Sequence, residues 1–177
     1  MGFRRIVPLT LFLCAVFAAQ PSRATDALDG YFIEASQATG VPASLLLSVA
    51  YHESRLTPWA LNVGGRSHFP ESMTEAKKIL SNSNATSYDV GLMQINNFWL
   101  SRLSLSVDDI FPPKFNVHLG AQILADCLVR YNSNIRKSLS CYHSGSDSSQ
   151  EHVRKYVQSI IDIHEQVFDL LRKKGKL

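Results

Sequence analysis

Glu53 is the residue in this 177-residue chain best placed to do chemistry. It lies near the end of Leu45 to Ser54, a run that reads as one helix, on a face shared with Ala50 and Leu46. Apolar neighbours withdraw a carboxylate from water. Desolvation disfavours its charged form and raises its pKa, as a general acid working near neutral pH requires. On spacing alone, a glutamate in a last helical turn that leans into solvent is an equal alternative.

Other chemistries fail on the residues. His52-Glu53 begins the zinc-protease pattern, but Leu56 stands where the second histidine ligand belongs. No glycine-rich phosphate loop and no Gly-x-Ser-x-Gly elbow occurs. The six histidines are scattered singly and read as surface or capping groups rather than metal ligands. Cys141 and His143 are two apart and would not face each other on a helix, so a thiol nucleophile is a poor reading.

Helical periodicity must supply the scaffold. Leu45 to Tyr51 is apolar on nearly every face except Ser48, the mark of a central buried helix, with Pro42 at its start. Before it, Ala27, Leu28, Tyr31, Phe32 and Ala35 outline a first helix closed by Gly40. Ser72 with Glu75 reads as a capping box for a short helix through Leu80, and Ser81 to Ser87 as a loop or hairpin tip. Val117, Ala121, Leu124, Leu128 and Tyr131 step at helical spacing. Ser148 with Glu151 reads as a second capping box, opening a long helix through Leu171. Only Asn62 to His68 and Tyr88 to Ile95 can be short extended pieces. The chain reads as one mainly α domain with a small hairpin or loop insertion.

Residues 1–24 read as a secretory signal peptide. Arg4 and Arg5 precede an uncharged run from Ile6 to Ala19, and Ser22-Arg23-Ala24 offers small residues for cleavage. Bulky Leu13 before Cys14 argues against a lipoprotein. The apolar run is short for a membrane span, and no later stretch is long enough for one, so the expected product is an exported, soluble domain over residues 25–177. Beyond the leader, fifteen Lys and Arg balance fifteen Asp and Glu. That neutrality removes the electrostatic case for a nucleic-acid partner. Arg172, Lys173, Lys174 and Lys176 read as a solvated basic tail. In an oxidising compartment Cys127 and Cys141 are a candidate disulfide, weighed against two buried thiols. Asn84-Ala85-Thr86 fits a glycosylation acceptor pattern.

Three blocks occur in order: Ala50-Tyr51-His52-Glu53-Ser54; Tyr88-Asp89-Val90-Gly91-Leu92-Met93-Gln94-Ile95-Asn96; and Cys141-Tyr142-His143-Ser144-Gly145. Together they resemble the soluble-type lytic transglycosylases, whose fold is similar to goose-type lysozyme, over roughly residues 28 to 160. Gly-Leu-Met-Gln-Ile downstream of Glu-Ser is the specific combination. The insertion between Asn62 and Asp89 makes the chain look like members that accompany secretion, conjugation or pilus machines. The resemblance implies a lysozyme-like helical domain acting on peptidoglycan glycan strands in the periplasm or outside the cell, with no metal or organic cofactor. Glu53 would be the single catalytic acid/base. Ser54 would hold the helix end, and the substrate-binding set would be Ser54, Asn62, Gln94, Asn96, Tyr142 and Tyr156. His143 and Ser144 depart from the family's usual Asn and Ala. Asp89 is read as a turn cap, with positioning of a water opposite Glu53 as the alternative. Two further readings stand beside the transglycosylase: a lysozyme-type hydrolase and a wall-binding module without catalysis.

Overall fold

A computed structural model describes residues 22–173. Most of the leader expected over residues 1–24 lies outside the described residues, as do Lys174 and Lys176 of the basic tail. Residues 22–24 form the beginning of the first helix.

The mainly helical expectation holds, with eight helices and four short strands among the described residues. Helix α1 (Ser22–Thr39) ends at Gly40, whose left-handed φ of 75° lets its N–H reach the Ser36 carbonyl. Helix α2 (Ala43–Ser54) is the central one. Leu45, Leu46, Val49 and Ala50 are all buried in the core, as its all-round apolar sequence requires. It packs along α8 (Glu151–Lys173), while α1 packs on α6 (Pro113–Arg130) and α7 (Ile135–Ser144) bridges α6 and α8.

Between α2 and α6 lies a small antiparallel sheet, in the spatial order β2-β1-β3-β4. Its strands are β1 (Leu61–Val63), β2 (Arg66–His68), β3 (Tyr88–Val90) and β4 (Ile95–Asn96). The two extended stretches expected from sequence are thus two hairpins of one sheet. Helix α3 (Met73–Ser81) separates them, and α4 (Asn97–Leu103) and α5 (Val107–Ile110) follow.

The caps differ from the sequence reading in instructive ways. Ser72 does accept from the Glu75 N–H, but the Glu75 carboxylate reaches the N–H of Glu71 rather than that of Ser72. The box expected at Ser148 and Glu151 does not form. Ser148 Oγ accepts from the Gln150 N–H and Glu151 pairs with Arg154, because the Ser148 N–H is already engaged by Ser140 Oγ. The reciprocal capping box is at Ser106 and Asp109, opening α5.

Cys127 on α6 and Cys141 on α7 are disulfide-bonded, their Cα atoms 5.9 Å apart. The bridge fixes the helix that carries Tyr142 and His143 to the helix behind it.

Candidate active site

The backbone turns sharply just after Glu53. Arg55 and Leu56 both adopt left-handed φ values, 54° and 59°, which non-glycine residues rarely hold. The Arg55 N–H caps the Tyr51 carbonyl and ends α2. Glu53 is thereby left in the last turn of a buried helix, at the wall of a groove of about 350 Å³. Across the groove stand the sheet and the loop after β3, which contribute Asn62, Asp89, Gln94 and Asn96.

Burial raises the Glu53 pKa to about 7. The Tyr156 hydroxyl opposes that rise by donating to Glu53 Oε1 at 2.7 Å, and the nearby Asp89 charge adds to it. Near neutral pH the carboxyl is therefore split between proton donor and carboxylate. The solvated-glutamate alternative is excluded.

Gln94 is held at a left-handed φ of 46°, with its Nε2 donating to the carbonyls of Ala60 and Gly91. That loop is built by Asn116, a residue the sequence reading passed over. Fully buried on α6, Asn116 accepts from the Met93 N–H and donates to the carbonyls of Val90 and Ile110. Gly91 is forced: its φ is 81°, and a Cβ there would lie 2.4 Å from Asn116 Nδ2. A signal for Asn116 does exist, since it shares a helical stripe with Gly120 and Ile123 where an apolar residue belongs. Tyr142 lines the groove with its ring while its hydroxyl donates to the Met93 carbonyl, bracing the same loop from α7.

Asp89 is not a turn cap. It is the middle residue of β3, in register with Asn62 on one side and Asn96 on the other, and its carboxylate faces the groove. Asn96 Nδ2 donates to Asp89 Oδ1 at 2.8 Å, while burial pushes the Asp89 pKa up. Asn96 Oδ1 caps α4 through the Phe98 N–H.

Two residues expected in the substrate-binding set stand behind the groove instead. Ser54 is fully buried, and its hydroxyl donates to the Ala50 carbonyl, satisfied within its own helix. Tyr156 is 6% exposed and reaches Glu53 from behind, through its hydroxyl. Of the two, only Tyr156 bonds the glutamate. Conversely, Trp99 in the first turn of α4 lines the groove, packed edge-on against the exposed Phe98. No spacing rule distinguishes it from a core aromatic.

Three of the six histidines are not scattered. His52 packs edge-on at 4.9 Å from the Tyr156 ring, His143 stacks on that ring at 4.0 Å, and His152 lies 6.1 Å from His143. Sequence separation hides this, because α2, α7 and α8 each supply one ring.

The family model described as the transglycosylase SLT domain matches residues 30–163. Protein virB1 of Agrobacterium fabrum is 27% identical over 149 residues, which cover 78% of this chain and 60% of that protein. Type IV secretion system protein virB1 of Brucella abortus biovar 1 is 27% identical over 118 residues, 60% of this chain and 50% of its own. The chain thus spans half to three-fifths of the length of these relatives. Among solved structures, an inactive mutant of the lytic transglycosylase Slt from Pseudomonas aeruginosa superposes with a TM-score of 0.56. It does so at 15% identity, over 81% of this chain and 24% of that one, and so shares the lysozyme-like helical fold.

Proposed function

This chain belongs to the transglycosylase SLT domain family, and from that premise we propose that it is a peptidoglycan lytic transglycosylase with Glu53 as its single acid/base. The observation that carries the reading is a carboxyl in the wall of a polar groove, at the end of a buried helix and bonded by a phenol hydroxyl, where burial raises its pKa. The glycan strand lies along that groove, which is lined by Asn62, Gln94 and Asn96 and by Trp99 with an apolar ring face.

Protonated Glu53 gives its proton to the oxygen joining N-acetylmuramic acid to N-acetylglucosamine as the bond to the anomeric carbon breaks. Positive charge then develops on the muramyl ring. Glu53, now a carboxylate, takes the proton of the C6 hydroxyl as that oxygen closes on the anomeric carbon. The product is a 1,6-anhydro-muramyl end, and Glu53 returns to its protonated form without consuming water. A pKa near the working pH serves both half-reactions. The Tyr156 hydroxyl stabilises the carboxylate between them.

The leader read over residues 1–24 delivers the domain of residues 25–177 to the periplasm or beyond. Among the described residues no helix is long and apolar enough to cross a membrane. The relatives' names support a place beside a secretion apparatus, where local opening of the cell wall makes room for an envelope-spanning assembly.

One observation favours a second reading. Asp89 brings a second carboxylate to the same groove, and glycosidases with two carboxylates route the reaction through water. Mass analysis of digested peptidoglycan separates the two. Anhydro-muramyl ends made by the wild type and absent with Glu53→Gln are expected. Reducing muramic acid ends would establish hydrolysis, and equal clearing by both proteins would remove Glu53 from catalysis.

A further inference from the structure

We propose that His143 is a positioning residue for the proton donor: by stacking on Tyr156, its imidazole holds the phenol hydroxyl against Glu53. The inference rests on Glu53 being the acid/base, as proposed above.

The geometry is a clamp of two imidazoles on one phenol. Tyr156 rises from α8 with its ring against both. His52 of α2 meets it edge-on at 84°, and His143 of α7 lies nearly parallel at 17°. His52 is itself fixed by a 3.0 Å hydrogen bond between its Nδ1 and Ser159 Oγ. Beyond Glu53, no hydrogen-bond partner of the Tyr156 hydroxyl is seen among the described residues, so the tilt of this ring decides whether the 2.7 Å contact forms. His52 meets the ring by its edge from a half-buried position at the end of α2. His143 covers the ring face from an exposed position at the groove, where otherwise water would meet the ring. Stacking of this kind contributes beyond area burial and favours one ring orientation.

His143 stands where the resemblance places an asparagine. An asparagine amide offers a smaller, non-aromatic plane at that position, so the ring-on-ring contact is a property of this chain's own residues. The disulfide between Cys127 and Cys141 anchors the α7 turn that presents the ring.

Other ionisable groups face this cluster. His52 and Arg55 come from the end of α2, Asp89 from β3, Tyr142 from α7 and His152 from α8. Partial burial and the neighbouring His152 lower the His143 pKa from its ordinary value, so the ring acts by contact rather than charge. Because Tyr156 donates to the ionised form of Glu53, releasing the tyrosine raises the Glu53 pKa.

The test is a carbon-detected NMR titration of the Glu53 side chain in the full chain, with His143→Ala and His143→Phe beside the wild type. The Glu53 midpoint is expected to rise in His143→Ala and to return to the wild-type value in His143→Phe, whose ring stacks without titrating. Turnover on isolated peptidoglycan is expected to follow, with kcat reduced on the order of tenfold in His143→Ala, KM unchanged, and kcat largely restored in His143→Phe. An unchanged midpoint in His143→Ala overturns the proposal. So does His143→Phe behaving like His143→Ala, which would assign the effect to charge or to a sugar contact. The titration does not depend on catalysis. A wild type that leaves glycan intact while its midpoints shift as expected would sink the enzymatic reading and leave the clamp standing.

Discussion

The hydroxyl of Tyr156 donates to Glu53 Oε1 at 2.7 Å across 103 residues of chain. It joins the last helix of the fold to the end of its central one. This contact sets the balance of the groove's proton donor, because burial favours the neutral carboxyl and the phenol favours the carboxylate.

Removing the phenol hydroxyl tests that balance directly. Tyr156→Phe is expected to move the alkaline limb of the activity profile to higher pH by roughly one unit, as a lost hydrogen bond to a charged group implies. Turnover at pH 6, where the donor is protonated in both proteins, is expected to fall because the carboxylate formed in mid-reaction loses its donor. An alkaline limb that stays in place would mean that Tyr156 does not influence the titrating group.

Stability should carry the mark of the same carboxyl. The folded pKa of Glu53, about 7, lies above that of an unfolded glutamate, so the folded state holds the proton more tightly. The contribution is complete below about pH 4 and is lost as pH rises through 7, on the order of 3 kcal/mol at most across that window. Glu53→Gln cannot ionise. Its melting temperature is therefore expected to exceed that of the wild type at pH 8 by more than at pH 5, as thermal melts at the two pH values would register. A gap that is equal at both would show that the carboxyl is not desolvated.

Asn116 is the fully buried amide on which the groove loop is built. Asn116→Leu leaves the Met93 N–H and the carbonyls of Val90 and Ile110 without their partner. A destabilisation of about 3 kcal/mol or more is expected in urea unfolding, given a cost of roughly 1–3 kcal/mol for each orphaned buried group. Gly91→Ala should do comparable harm, since it combines left-handed strain with the clash against Asn116. A variant of wild-type stability at either position would contradict the network.

Opening the bridge between Cys127 and Cys141, 14 residues apart, should lower stability by about 3 kcal/mol, the value for a loop of this length. The double variant Cys127→Ser/Cys141→Ser, compared with the wild type in denaturant without reductant, gives the measurement. Because α7 carries Tyr142 and His143, the double variant should also lose turnover below its melting temperature. Unchanged turnover would show that α7 is held by packing alone.

What the sequence determined by itself was local. The helical periods of α1, α6 and α8 were legible because each carries an apolar stripe that repeats along one element, and α2 because it is apolar nearly all round. Glu53 was legible because its own helix supplied the apolar neighbours. The Gly91 to Asn96 block could be placed opposite it only by resemblance. Short or polar elements escaped: α4 and α5 are less than two and a half turns long, and α7 is dominated by polar residues. The tertiary structure alone decided the rest. It brought Asp89 from an expected turn into the groove, because strand register rather than residue type sets which face a side chain takes. It withdrew Ser54 and Tyr156 from the groove surface to positions behind the glutamate. His52 of α2 and His143 of α7 met the Tyr156 ring of α8, with His152 beside His143, only when the three helices packed together. Contacts between distant segments depend on how helices cross and strands pair, and no spacing within a single segment encodes them.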